Sequence, residues 1–200
     1  MIPFRISKEE VNALPLGQFE GEIYLIDDAE LVDEVVEFLE EQPLLGFDTE
    51  TKPSFKKGII NQVSLLQLST PKQAFLFRLN EIGFPDSIRG ILERETIVKI
   101  GAAVHDDIKG LAKLTDSFYA NSFFDLNDEL KKVGFHNVGV RNLTAMVLGM
   151  RISKSEQVSN WEAIELTEKQ LRYAATDAWA CLEVFKKLRI EGYLDELLGF

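Results

Sequence analysis

Two carboxylates stand one residue apart at the end of an apolar run, Leu44-Leu45-Gly46-Phe47-Asp48-Thr49-Glu50. A short apolar run bounded by breakers predicts a buried strand, and side chains two apart on a strand share a face, so Asp48 and Glu50 point the same way. Anions that close raise each other's pKa unless a cation neutralises them, and hard oxygen ligands suit Mg²⁺ or Mn²⁺. The plainer alternative is that one carboxylate caps a helix while the other faces water. Far along the chain, Tyr173 and Asp177 lie four apart among small and apolar neighbours, which places them on one helix face a turn apart. Between these, Asp107 aligns with Leu111 and Leu114 at helical spacing, whereas Asp106 aligns with Gly110 and Lys113. That periodicity turns Asp107 inward and leaves Asp106 as a cap or solvent group.

Four inward acids, Asp48, Glu50, Asp107 and Asp177, together with a phenol are the set that a two-metal phosphodiester hydrolase needs. Two cations ~3.5–4 Å apart hold the attacking and leaving oxygens of an in-line displacement. Asp48 is the natural bridging ligand, and the Tyr173 hydroxyl can orient the attacking water or help remove its proton.

The elements that must position these groups follow from periodicity. Ser7-Lys8-Glu9-Glu10 has capping-box spacing and predicts a short helix through Leu14, and Phe19 to Ile26 is strand-like. Leu31, Val35, Val36 and Leu39 recur at helical spacing among acids, predicting an amphipathic helix over 28–42 that Pro43 ends. The strand bearing Asp48 leads into a basic loop over 52–58. Apolar runs over 63–68 and 74–79 then predict, with it, a three-strand antiparallel meander. Beyond that point the pattern alternates. A helix is expected around Ile88, Ile91 and Leu92, a strand at Ile97 to Gly101, a helix opened by His105 and running through Leu114, and helices over 125–133 and 142–148. A second capping box, Thr167 with Gln170, opens a long helix through Leu188, and a tail over 193–200 is expected to pack back on the body. Such an order implies an α/β mixed sheet with flanking helices.

The whole chain sets bounds on these readings. With 200 residues, 46% apolar and 28% charged, it has an ordinary soluble composition, and a single domain over 1–200 is expected, residues 1–23 being an amino-terminal extension. No apolar run is long enough to span a bilayer and the first ten residues lack a signal-peptide layout, so no membrane partner and a cytoplasmic location are expected. Cys181 falls in an apolar helical pattern and reads as core. His105 and His136 lack zinc-site spacing with it, so carboxylates must hold any metal. A net charge of −11 argues against a protein that coats nucleic acid by bulk electrostatics. Much of the acid is concentrated in Asp27, Asp28, Glu30, Asp33, Glu34, Glu37, Glu40 and Glu41. The sign reverses just past the carboxylate pair, where Lys52, Phe55, Lys56 and Lys57 offer cations for a strand and an aromatic ring for a terminal base. The bland alternative is a solvated loop with Phe55 in the core. Arg141, Arg151 and Lys154 are the next basic candidates.

Phe47-Asp48-Thr49-Glu50, then Asp107 with Leu111, then Tyr173-Ala174-Ala175-Thr176-Asp177 resemble the three ordered motifs of the DEDD 3′–5′ exonucleases, tyrosine subclass, a family that includes the Werner syndrome helicase exonuclease domain and ribonuclease D. Ser159-Asn160-Trp161 before Leu166-Thr167 looks especially like the Werner-type domain. The likeness covers roughly Tyr24 to Leu188. It implies a ribonuclease H-like fold, hydrolysis at the 3′ end of DNA or RNA, and two ions, Mg²⁺ or Mn²⁺. In such enzymes the acid matching Asp48 bridges both ions, those matching Glu50 and Asp177 help hold the first, and that matching Asp107 supports the second. The subclass follows from Tyr173 four residues before Asp177, where the histidine subclass would instead place His at the position of Arg172. The alternative is a catalytically silent nucleic-acid-binding or scaffold protein on the same fold. Retention of all four acids argues against it, because buried unpaired carboxylates are costly without a cation.

Overall fold

The computed structural model describes residues 2–56, 58 and 60–195. Ser7 and Glu10 close the expected capping box at the start of α1 (Lys8–Ala13). The first strand, β1 (Glu22–Ile26), is shorter than the run from Phe19 suggested, since Phe19 is tied elsewhere. The acidic helix begins as a 3₁₀ turn, Ala29–Leu31, capped by the Asp28 side chain, and continues as α2 (Val32–Glu40). Three residues per turn shift the phase of that first turn. Leu31 is consequently 47% exposed rather than on the apolar face, and Val32 takes the inward place beside Val36 and Leu39.

The meander is present as β2 (Leu44–Thr51), β3 (Val63–Ser69) and β4 (Gln73–Arg78), each antiparallel to the next. Then come α3 (Leu79–Ile82), α4 (Asp86–Glu93), β5 (Val98–Gly101), α5 (Val104–Ala112), β6 (Phe123–Asp125), α6 (Leu126–Lys132), α7 (Val140–Leu148) and α8 (Glu168–Ile190). Neither α3 nor β6 was expected from the sequence; four and three residues are too few to show a period. The six strands form one mixed sheet in the order β1-β4-β3-β2-β5-β6, with β1, β5 and β6 joined in parallel.

Alternation along β2 divides its side chains between two worlds. Leu45 and Phe47 enter a core with Val36, Leu39, Ile91 and Leu111. Gly46 faces α8 so closely that a Cβ there would strike the Ala178 carbonyl and the Ser69 hydroxyl. The helix meets that closeness with small residues, Ala174, Ala175 and Ala178, all fully buried.

The amino-terminal segment packs on the body. Ile2, Val11 and Phe19 are buried, Gly17 donates to the Arg151 carbonyl at 2.9 Å, and the Arg151 amide donates to Pro15 at 2.9 Å. The Ile2 amide donates to the Tyr193 hydroxyl at 2.9 Å, so the two ends of the described chain lie side by side. Of the expected packed tail, Leu194 is buried, and residues 196–200 lie outside the described residues. No helix among the described residues is long and apolar enough to cross a membrane.

Candidate active site

Two elements deliver the acids. The end of β2 presents Asp48 and Glu50 on the face toward α8, and α8 returns Asp177 to them one turn beyond Tyr173. One carboxylate oxygen from each of Asp48, Glu50 and Asp177 comes within 4.8 Å of the others, and no other group of three or more His, Cys, Asp or Glu converges in this way among the described residues. The plain alternative for the pair, a cap and a solvated acid, is thereby excluded. His105, His136 and Cys181 take no part.

Crowding shows in the acidities. Burial first, then the charges of Asp177, Glu50 and Asp107, holds the Asp48 carboxyl well above the usual carboxylate range. Glu50 is pushed up to about 9 by burial and by Asp177 and Asp107. Asp177 is raised to about 7 by burial, with Tyr173 and Lys154 acting in the opposite direction. Burial and the same carboxylates lift the Tyr173 phenol far above its normal value, so it remains protonated. Every candidate ligand is a hard oxygen, and a divalent cation would relieve the surplus of negative charge.

Asp107 sits just outside that trio. It faces inward as the periodicity predicts, accepting the Thr49 hydroxyl at 2.5 Å, and burial raises its carboxyl to about 6. Asp106 projects into solvent beside Lys109. The start of α5 is held by Asp125, which the sequence showed only as the beginning of a helix. Its carboxylate accepts the amides of Ala103 at 3.0 Å and Val104 at 2.9 Å, and also those of Asn127 and Asp128 at the start of α6. One side chain thus caps two helices, and it spans a junction where Ala103 adopts a left-handed conformation at φ 63°. An Asp opening a helix is a readable signal; its second task is not.

The basic residues divide differently from expectation. Lys52 donates to Glu162 at 2.9 Å. Phe55 is 88% exposed, which overturns the alternative that it packs in the core, and Lys56 is exposed beside it. Lys57 lies outside the described residues. Arg141 and Lys154 line a cleft of about 300 Å³ together with Asp48, Glu50, Tyr173 and Asp177. Arg151 does not, since its Nε is spent on the Leu14 carbonyl at 3.1 Å. A neighbouring cavity shares Tyr173 and Asp177 as its wall and is closed by Leu16, Gly17 and Gln18.

Carboxylates meeting from the central strand of a mixed sheet and from the long helix laid across it define a ribonuclease H-like α/β fold with a carboxylate centre. The chain belongs to the 3′–5′ exonuclease family, whose sequence pattern matches residues 23–192. It is 32% identical over 187 residues to the mouse bifunctional 3′–5′ exonuclease/ATP-dependent helicase WRN, covering 88% of this chain and 13% of that protein. It is 28% identical over 190 residues to the exonuclease mut-7 homologue of Aedes aegypti, covering 83% and 26%. The crystal structure of the Aedes aegypti Nibbler EXO domain superposes with a TM-score of 0.79 at 26% identity, covering 90% of this chain and 94% of that one. The chain therefore spans about a quarter or less of these two longer relatives, and nearly all of the solved domain.

Proposed function

We propose that this chain hydrolyses phosphodiester bonds one nucleotide at a time from the 3′ end of DNA or RNA, using two Mg²⁺ or Mn²⁺ ions. The observation that carries the reading is the convergence of Asp48, Glu50 and Asp177 on one point in a chain of the 3′–5′ exonuclease family. Asp48, Glu50 and Asp177 would hold the first ion, and Asp48 and Asp107 the second. The ions, when bound, supply charge to the attacking and leaving oxygens and lower the pKa of water. Asp48 and Glu50 fix the centre to a rigid strand, which sets its aim. Tyr173, one turn before Asp177 on α8, would orient the attacking water or help remove its proton.

Substrate capture by so acidic a chain calls for local cations. Lys154 and Arg141, which line the cleft, would take the phosphates nearest the reacting bond. Lys56 and Lys57 with the exposed Phe55 would take the strand beyond it, whereas Lys52 contributes less because Glu162 neutralises it. The test is hydrolysis of end-labelled single-stranded RNA, single-stranded DNA and recessed duplexes in Mg²⁺ or Mn²⁺, beside Asp48→Ala and Asp177→Ala. A ladder shortening from the 3′ end, absent in both variants and in chelator, is expected. No hydrolysis of any substrate in either metal would sink the proposal.

A further inference from the structure

The sheet face beneath α8 carries a polar pair that none of the roles above uses. In the ladder of β2 with β3, Gln67 stands opposite Asp48 and Ser69 opposite Gly46, so both side chains leave the sheet on the side of the carboxylates. Both residues are 0% exposed. The carboxamide oxygen and nitrogen of Gln67 and the hydroxyl of Ser69 have no hydrogen-bond partner within the protein. Their neighbours across the next ladder are Leu76 and Ala74, which offer none. An unsatisfied buried polar group costs roughly 1–3 kcal/mol, so orphans concentrated in one place mark a site where something else pairs with them.

The nearest charge in register is the Asp48 carboxylate. Its Oδ1 already accepts the Thr49 amide at 2.9 Å, and a carboxylate has acceptor capacity for several donors. Directly opposite residues of an antiparallel pair have Cβ atoms about 4.5–5.5 Å apart, so the polar ends of facing side chains come within reach of one shared water making about three hydrogen bonds. Gln67, Ser69 and Asp48 are three such partners on one face. We propose that Gln67 is a positioning residue for Asp48: with Ser69 it holds an ordered internal water that hydrogen-bonds the carboxylate from behind and fixes its aim at the cation on the open side. Gln67 reaches neither substrate nor metal. Its effect passes entirely through the orientation of Asp48.

This inference rests on the reading that Asp48 holds a divalent cation, and the test separates the two. Mn²⁺ dissociation constants, measured by electron paramagnetic resonance on the whole chain, are compared for wild type, Gln67→Met and Ser69→Ala. Gln67→Met is expected to weaken Mn²⁺ binding by roughly 10–100-fold, the usual effect of losing a partner that orients a metal ligand, and Ser69→Ala to act in the same direction. The metal-free melting temperature of either variant should equal or exceed wild type, because an unsatisfied buried group has been removed. Hydrolysis by Gln67→Met should then climb toward wild type as Mn²⁺ is raised to saturation, which a misfolded site would not do. Should Gln67→Met fail to fold, Ser69→Ala carries the comparison alone. Wild-type Mn²⁺ affinity in Ser69→Ala and in any folded Gln67→Met overturns the inference. Absence of Mn²⁺ binding by wild type would instead remove the metal reading beneath it.

Discussion

Asp106 and Asp107 are adjacent in sequence and opposite in circumstance. Asp107 meets the Thr49 hydroxyl beside the carboxylate trio, whereas Asp106 is solvated against Lys109. Asp107→Ala is expected to abolish hydrolysis and Asp106→Ala to leave it near wild type in the same labelled-strand assay; the reverse outcome would mean that the facing acid has been misassigned. For Tyr173→Phe the expected loss is roughly 10²–10⁴ in rate, the scale of a positioned proton-transfer group, with Mn²⁺ affinity little changed. A variant as fast as wild type at saturating metal would reduce Tyr173 to a packed aromatic. These residues were legible because spacings of two and four encode facing directly. Thr49 was not: alternation turns it away from Asp48 and Glu50, and its grip on Asp107 arises only where the end of β2 passes α5. The partner of Lys52, Glu162, lies 110 residues away with no local signal at all.

At the scale of elements, the site depends on how two helix starts and one helix crossing are fixed. Asp125 caps both α5 and α6 and so holds the turn that presents Asp107. Asp125→Ala should cost roughly 1–2 kcal/mol in chemical denaturation, the scale of a lost N-cap. It should also lower activity more than a surface cap such as Ser7→Ala does. Equal activities for the two variants would detach Asp125 from the site. The sequence announced α8 plainly, through its capping box and its apolar positions, and β2 through its apolar run. It did not announce β6, whose three residues become a strand only because β5 lies beside them, nor the 3₁₀ winding that turns Leu31 outward. Gly46 was visible as a residue without being visible as a requirement. Its bareness is what allows α8 to approach closely enough for Asp177 to meet Asp48.

Across the whole molecule, the carboxylate centre sets how stability varies with pH. Glu50 at about 9, Asp177 at about 7, Asp107 at about 6 and Asp48 shifted in the same direction all lie above the unfolded values near 4. Between those limits these four groups bind more protons in the folded chain than in the unfolded one, so their contribution to metal-free stability is fully present below about pH 4 and is lost as pH rises toward 9. The melting temperature in chelator is therefore expected to decline from pH 5 to pH 9. Mg²⁺ or Mn²⁺ should restore it most at the alkaline end, and Asp48→Asn should flatten the decline. A metal-free melting temperature that rises over this interval would contradict repulsion among these carboxylates.

The hydrogen bond from Ile2 to Tyr193 brings the backbone between these two residues nearly into a closed ring. A ring can be opened elsewhere. Linking residue 2 to residue 195 through a short Gly/Ser linker and cutting between Ser54 and Phe55, where Phe55 and Lys56 stand in solvent, interrupts neither β2 nor β3. Such a circular permutant is expected to keep the parent's circular dichroism and Mn²⁺ affinity. The same adjacency of Ile2 and Tyr193 suits the described unit to being threaded into a loop of a host protein, with its two connections made side by side.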